Sequence, residues 1–331
     1  MHFWLSTKGL PPTGLLVFFS IVSGITIANA KEAGENRNFE KLDPMVKQVC
    51  RWLPAETETL TYLSRDNKIS PERDKLMPKS FGILSLVRKG KFIQQVEEGK
   101  IKFEVAGSCR FRPPKGMNGY RYAGCHAMVF ARDLDKDFRN RLIKSFSENS
   151  NGVDTVKGYE VVRFEENVGP DKTIFYISLP KPNVLLVGTD ITYITSVLDR
   201  VRASLDSSAL RMQVALWDQL DVKAAFWGMR LPTAVENDGG RSDGPWENDG
   251  GFVTFVLEKK SKLIVRNLLI HQDKTTKAIS RKWKLLPPNK SSPKLELVSP
   301  KVAEINLSTR DSDAEALFVL IIWRLGYKAR L

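Results

Sequence analysis

Two cysteines in the first third of the chain have the spacing of partners in a disulfide. If residues 113–119 form a hairpin turn, Cys109 and Cys125 face each other across two antiparallel strands. The Cβ atoms of facing residues lie ~4.5–5.5 Å apart. A disulfide needs a Cβ separation near ~3.8 Å, which a small local adjustment supplies. The spacing therefore predicts a disulfide between Cys109 and Cys125.

The same cysteines raise the alternative of a metal site completed by His126. Adjacent residues of a strand point to opposite faces, so Cys125 and His126 would diverge, and this alternative is disfavoured. The remaining cysteine, Cys50, falls on the apolar face of a predicted helix and is expected to be a buried free thiol. The sequence predicts no metal site and no cofactor.

Arginine and tyrosine alternate with the cysteines on this hairpin and form a candidate ligand surface. Arg110, Arg112 and Tyr122 share the face opposite the cysteines, and Tyr120 and Arg121 lie near the tip. Aromatic rings can stack on sugars or bases while arginine binds anions. Ordinary cross-strand packing on a solvated face is the alternative.

A second candidate surface lies in the most basic part of the chain. Residues 252–301 contain twelve Lys or Arg and three Asp or Glu, and the whole chain has a net charge of +13. Lys274, Lys277, Arg281 and Lys284 fall on one face of a predicted helix. Such a patch attracts polyanions: an acidic glycan, a wall polymer or anionic lipid head groups. A solvated helix face without a partner is the alternative.

The word ENDGG occurs twice in the acidic, glycine-rich tract at residues 236–251. A calcium loop of the EF-hand type needs oxygen ligands at alternate positions and glycine at position six. Counted from Asp238, position six is Asp243, so the match is poor. We interpret the tract as a long connection between neighbouring strands. Weak calcium binding through Asp238, Asp243 and Asp249 remains open.

Signatures of the common enzyme classes are missing from the sequence. It contains no G-x-S-x-G, no Walker A motif and no H-E-x-x-H. Only His126 and His271 follow the first thirty residues, which disfavours histidine-based catalysis. The sequence therefore favours a non-catalytic protein of unknown specific role that binds a polyanion. An exported hydrolase without a readable motif and an envelope assembly or scaffold subunit are the alternatives.

The first thirty residues are typical of an export signal. A 13-residue apolar core, residues 15–27, precedes Ala28-Asn29-Ala30, a small-x-small site of the kind signal peptidase cuts. The core is shorter than the ~20 residues of a membrane-spanning helix. We expect a periplasmic or extracellular protein after cleavage near Ala30. Retention of the signal as an anchor is the alternative.

The order of predicted elements indicates an α+β fold with an antiparallel-rich sheet and helices packed on one face. We expect a signal at 1–30, a flexible segment at 31–40, and two similar halves at 41–204 and 205–331. Each half has strands, a helix, two strands joined at a Pro-Lys turn and a closing helix. Asp43, either Asp133 or Asp135, and Asp190 are suited to cap helices.

Three stretches carry a resemblance to a known group of proteins: WLPAETETL, MVFARDL and YISLPKPNVLLVGTD, where the last two each enter a helix. The chain resembles exported proteins of unknown function from planctomycete-like bacteria, built from duplicated α+β halves. The resemblance implies a fold style and an export route, and it implies no catalytic residue.

Overall fold

Antiparallel hairpins dominate the computed structural model of the chain. It describes residues 37–65, 96, 99–111, 121–147, 150–168, 171–203, 214–230, 250–259, 262–271, 294–299 and 302–308. The described helices are α1 (Arg37–Glu40), α2 (Pro44–Trp52), α3 (Lys136–Ser147), α4 (Ile191–Ala203) and α5 (Val214–Asp218). None of them is both long enough and apolar enough to cross a membrane.

The described strands form one sheet. They are β1 (Thr59–Ser64), β2 (Ile101–Phe111), β3 (Arg121–Phe130), β4 (Ser150–Val156), β5 (Tyr159–Val168), β6 (Asp171–Lys181), β7 (Val184–Gly188), β8 (Phe226–Arg230), β9 (Gly250–Lys259), β10 (Lys262–His271), β11 (Lys294–Ser299) and β12 (Val302–Ser308). Their order is β11-β12-β10-β9-β8-β1-β2-β3-β7-β6-β5-β4. Every neighbouring pair is antiparallel.

One path through the sheet occurs twice. In the first half β1, β2 and β3 are followed across the sheet by β7 and β6, and in the second half β8, β9 and β10 are followed by β12 and β11. The two paths meet where β1 pairs with β8. The β4–β5 hairpin has no counterpart among the described strands of the second half. The repeated path agrees with two similar halves, and an origin by duplication remains a prediction.

The antiparallel pairing defines two ends of the sheet. At the first, the β2-start end, β2 begins and β1 ends, since Ser64 pairs with Phe103. At the second, the β2-stop end, β2 ends and β1 begins, since Thr59 pairs with Ser108. Because neighbouring strands run in opposite directions, every second strand begins at a given end of the sheet and the others end there.

Helices and an antiparallel sheet together confirm the α+β class. The structure differs from the predicted arrangement in one detail, because helices contact both faces of the sheet. On one face, here face A, α2 and α4 pack on the apolar side chains of Val105, Ala127 and Leu186. On the other, face B, α3 buries Leu142 and Phe146 against β5 and β6. Strand alternation supplies apolar residues to both faces, so neither could be left to solvent.

Aspartate side chains fix the beginnings of the three longer helices, as predicted. Asp43 Oδ1 accepts a hydrogen bond from the Met45 backbone N–H at 2.8 Å. Asp135 Oδ1 accepts from Phe138 N–H at 2.7 Å. Asp190 Oδ1 accepts from Tyr193 N–H at 2.9 Å. Each bond satisfies an N–H group that has no partner within its helix.

Two segments differ from their predictions. Within residues 31–40, predicted to be flexible, α1 places Phe39 in the core against the ring of Trp217. Asn38 Nδ2 also donates to the carbonyl of Trp217. The polar residues 147–152 predict a turn, yet β4 begins at Ser150 and pairs with β5. A long-range contact in α1 and the adjacent hairpin partner in β4 each override a polar local sequence.

Candidate functional site: the two ends of the sheet

The predicted disulfide is wrong, because the hairpin register is offset by two residues. Cys109 pairs with Ala123, and Cys125 pairs with Gly107. The two cysteines are therefore diagonal neighbours, whose Cα atoms lie ~7–8 Å apart in a regular ladder. A disulfide usually requires less than ~6.8 Å. Cys50, Cys109 and Cys125 are all free and buried.

Burial raises the pKa of each thiol to about 12. For Cys109, the negative charges of Glu58, Glu56 and Asp190 add to the effect of burial. Cys109 and these three carboxylates lie at the β2-stop end. A neutral, buried thiol is a poor nucleophile and a poor metal ligand. The cysteines therefore act as small core residues, as was predicted for Cys50 alone.

The candidate ligand surface on the hairpin also lies at the β2-stop end. Arg110 pairs with Tyr122, and Phe111 pairs with Arg121. By strand alternation, positions 110 and 122 belong to face B and position 121 to face A. Arg112 and Tyr120 lie outside the described residues. The register thus confirms that Arg110 and Tyr122 are neighbours, and it separates them from Arg121.

Several other predicted features lie outside the described residues. These are the basic set Lys274, Lys277, Arg281 and Lys284, the export signal, the closing helix and most of the ENDGG tract. The strands on either side of that tract are described: β8 ends at Arg230, β9 begins at Gly250, and the two are paired. The tract is therefore a connection between neighbouring strands, as predicted.

Basic residues occur at nearly every strand terminus of the β2-start end. They are placed there by strand direction: β8, β2 and β10 begin at this end, and β1, β3, β6 and β9 finish at it. We call these residues the basic row. From β10 to the β4–β5 turn they are Lys262, Lys259, Lys223, Arg65, Lys100, Lys102, Arg132, Lys136, Lys181 and Lys157.

Some members of the basic row are already neutralised by carboxylates. Lys102 Nζ lies 3.3 Å from Asp43 Oδ2, and Lys157 Nζ lies 2.9 Å from Asp199 Oδ2. Lys100, Arg132, Lys136 and Lys223 are exposed. These four have no ion-pair partner within 4.0 Å among the described residues. They are therefore available to an external anion.

Carboxylates are fewer than basic residues at the β2-start end. Glu104, Asp43 and Asp199 pair with members of the basic row. The other carboxylates at this end are Asp133, Asp135 and Asp137 at the start of α3, Glu160 in β5, Asp221 before β8, and Glu258, the last residue but one of β9. Asp135 is engaged as a helix cap. The cluster at α3 partly offsets Arg132 and Lys136, and Asp221 lies beside Lys223, whose backbone N–H donates to Asp221 Oδ1 at 3.0 Å. Lys100 and Lys223 still have no ion-pair partner within 4.0 Å among the described residues.

Charges at the β2-stop end are of both signs. Arg110, Arg121 and Arg230 lie there together with the carboxylates that act on Cys109. Asp171 and Lys172, at the beginning of β6, add one charge of each sign. Among the described termini, the β2-stop end thus carries charges of both signs and lacks the row of basic residues that follows the β2-start end.

Arg65, a member of the basic row, is turned inward by a buried carboxylate. Arg65 Nε lies 2.5 Å from Glu104 Oε1, and His126 Nε2 lies 2.8 Å from Glu104 Oε2. Glu104 and His126 are 1% and 0% exposed. The three residues come from β1, β2 and β3 and form a buried cluster on face B, beside the buried hydroxyls of Thr59, Thr61 and Ser108.

Opposing effects act on the Glu104 carboxyl group. Burial by itself would raise its pKa, but His126 and Arg65 outweigh burial and hold the pKa below its ordinary value. Glu104 therefore remains ionised and has a cationic or polar partner at each oxygen. A carboxylate held in this way joins strands, whereas a general acid needs a raised pKa and access to substrate.

Metal-binding geometry is absent from the described part of the chain, where no three His, Cys, Asp or Glu side chains converge on a common point. The calcium alternative for the ENDGG tract depends on Asp238, Asp243 and Asp249, which lie outside the described residues. It stays a prediction.

Comparison with known proteins adds little to this geometry. No protein-family model matches the chain, and no curated protein matches it. A solved structure described as "Structure of crystal form I of TP0453" is similar over 86% of this chain and 98% of its own. Its TM-score is 0.49 and its sequence identity 12%, so no functional argument is drawn from it.

Proposed function

We propose that the protein is an exported, non-catalytic α+β protein that binds a polyanion with the β2-start end of its sheet. The basic row carries this proposal. Strand direction brings Lys and Arg from distant parts of the chain to the same end, and exposed members such as Lys100 and Lys223 have no described ion-pair partner. A concentration of uncompensated positive charge raises the local concentration of polyanions.

The proposed surface differs from both surfaces that the sequence suggested. The arginine–tyrosine hairpin lies at the β2-stop end, close to Glu56, Glu58 and Asp190. Those carboxylates reduce the positive potential that an anion would meet there. We therefore place the principal binding surface at the opposite end. Export rests on the first thirty residues and belongs to the same proposal.

Two double variants of equal charge provide the test. Lys100→Gln with Lys223→Gln removes two charges at the β2-start end, and Arg110→Gln with Arg121→Gln removes two at the β2-stop end. Binding to heparin and to long-chain polyphosphate is measured by titration calorimetry between 50 and 200 mM salt. These salt concentrations bracket a range in which counterion release changes polyanion affinity by roughly 10³–10⁵ for six to ten contacts.

We expect the β2-start variant to weaken binding at low salt by about ten-fold and to reduce the salt slope by about 1.4–1.8. The β2-stop variant should bind within about two-fold of the unmodified protein, because its net charge is the same but the lost charges lie elsewhere. Equal losses in both variants would show that only net charge matters. Absence of binding by the unmodified protein would reject the function.

A further inference from the structure

The basic row follows the sheet across many strands. Its members occur in spatial order at β9, β8, β1, β2, β3, β6 and the β4–β5 turn. Adjacent strands lie ~4.8 Å apart. Lys223, just before β8, and Lys181, at the end of β6, are thus five strand spacings apart, about 24 Å. A ligand that meets both must have an extended array of anionic groups.

The path of the row is curved. Neighbouring strands of a sheet are rotated by roughly 20–25° with respect to each other, so five spacings accumulate a rotation of roughly 100–125°. Strand ends in such a sheet follow a twisted curve. A planar surface such as a bilayer would meet only part of this curve, whereas a flexible chain could follow it.

Lys100, Arg132 and Lys223 are exposed and Lys181 is half-buried, and ion pairs at such positions are individually weak. Lys100, Arg132 and Lys181 offer single cations about 5–10 Å apart along the strand order. No two of these cations are bridged by a carboxylate in the described residues. Substantial affinity therefore requires simultaneous contacts by linked groups, for which the effective concentration is high.

We infer that the ligand is a flexible, linear polyanion that runs across the strands along the β2-start end, from the region of Lys223 to that of Lys181. This inference rests on the proposed function and specifies the ligand class. Phosphate, sulfate or carboxylate groups could supply the charge. What the row selects is a chain with anionic groups repeated along more than ~20 Å.

The test is a length series with a planar control. Affinity is measured for inorganic phosphate, tripolyphosphate, polyphosphate fractions shorter and longer than the row, matched heparin oligosaccharides, and vesicles containing anionic lipid. We expect affinity to rise by at least about 100-fold from tripolyphosphate to the longest chains, and to level off once a chain spans the row. Vesicles should bind less tightly than long chains at equal anion concentration.

Two single variants test the proposed length of the row. Lys223→Gln removes the charge at one end of the path, and Lys181→Gln removes the charge at the other. Each should lower affinity for long chains by about two- to five-fold and leave that for tripolyphosphate unchanged. Tripolyphosphate binding as tightly as long chains would overturn the inference in favour of a compact site. Tighter binding to vesicles would overturn it in favour of a lipid surface. Failure of every polyanion to bind would instead reject the proposed function itself.

Discussion

The two ends of the sheet are built from the same strands, yet they differ in charge. At the β2-start end a row of ten basic residues follows the strand termini, and at the β2-stop end Arg110 and Arg230 lie at the same end as Glu58 and Asp190. The difference teaches that basic residues are not divided evenly between the two ends of the described sheet. This uneven placement is recognised only when the direction of each strand shows at which end of the sheet a residue lies.

Turn chemistry explains part of the difference. The β4–β5 turn has Lys157 and Gly158 with φ angles of 54° and 85°, and the β6–β7 turn contains Lys181. Surface turns tolerate lysine because its charged head remains in water. Helix caps place a carboxylate at both ends, since Asp135 begins α3 at the β2-start end and Asp190 begins α4 at the β2-stop end. Capping therefore does not account for the difference between the ends.

The largest predicted effect concerns Arg65, the cation that Glu104 holds inside at the β2-start end. Glu104→Gln should destabilise the protein by about 3–5 kcal/mol, because it removes the charge that compensates Arg65 in a buried cluster. Asp199→Asn, which breaks the exposed pair with Lys157 at the same end, should cost less than ~1 kcal/mol. Urea unfolding at pH 7 measures both. Similar costs for the two variants would show that the cluster is no stronger than a surface pair.

The effect of Glu104→Gln has a pH dependence of defined sign. The pKa of Glu104 is lowered by folding, so its contribution to stability is present above the unfolded-state value of 4.5 and is lost as pH falls through the folded-state pKa. The stability difference between the unmodified protein and Glu104→Gln should therefore shrink below pH 4.5. A difference that stays constant down to acid unfolding would contradict the assignment.

An intermediate effect is expected near the β2-stop end, where a glycine allows close packing. A Cβ atom at Gly107 would lie 2.8 Å from Leu53 Cδ1 and 3.0 Å from Tyr193 Oη. Tyr193 Oη is also within 2.7 Å of Thr57 Oγ1, so it has little freedom to move. Gly107→Ala should cost about 1–3 kcal/mol in urea unfolding. Ser108→Ala at the neighbouring position serves as the control, and equal losses would count against a steric cause.

The smallest predicted effect concerns the aspartates that cap helices at the two ends. Asp135→Asn at the β2-start end and Asp190→Asn at the β2-stop end both keep a side-chain oxygen for the cap, so each should change stability by less than ~1 kcal/mol. Removal of the Asp135 charge should strengthen polyanion binding by about two-fold at low salt, and removal of the Asp190 charge should not. Equal gains from both would contradict a binding surface restricted to one end.

Local structure was largely predictable from the sequence. The Asp43 cap and Pro44 predict the start of α2, apolar spacing predicts the buried side of α3, and alternating residues predict the β9–β10 hairpin. These elements depend on contacts a few residues apart. The β4 strand was missed because its sequence, SNGVDTV, is polar at its start, and its pairing with β5 is what makes it a strand.

Local sequence patterns do not predict which strands pair or in which register. A shift of two residues keeps every side chain on its predicted face, so the sequence had no means to separate the pairing of Cys109 with Cys125 from its pairing with Ala123. Likewise Glu104 and His126 are ordinary polar residues in sequence. Only adjacent strands bring them together and bury them with Arg65.

The sequence by itself determined the α+β class, most helix and strand positions, the export signal as an expectation and the excess of positive charge, because these follow from composition and short-range spacing. The tertiary structure decided that helices pack on both faces, that the cysteines are free, and that ten of the described basic residues lie along one end of the sheet. Each of these depends on which strands are neighbours and in which direction they run. That information comes from burial across the whole sheet.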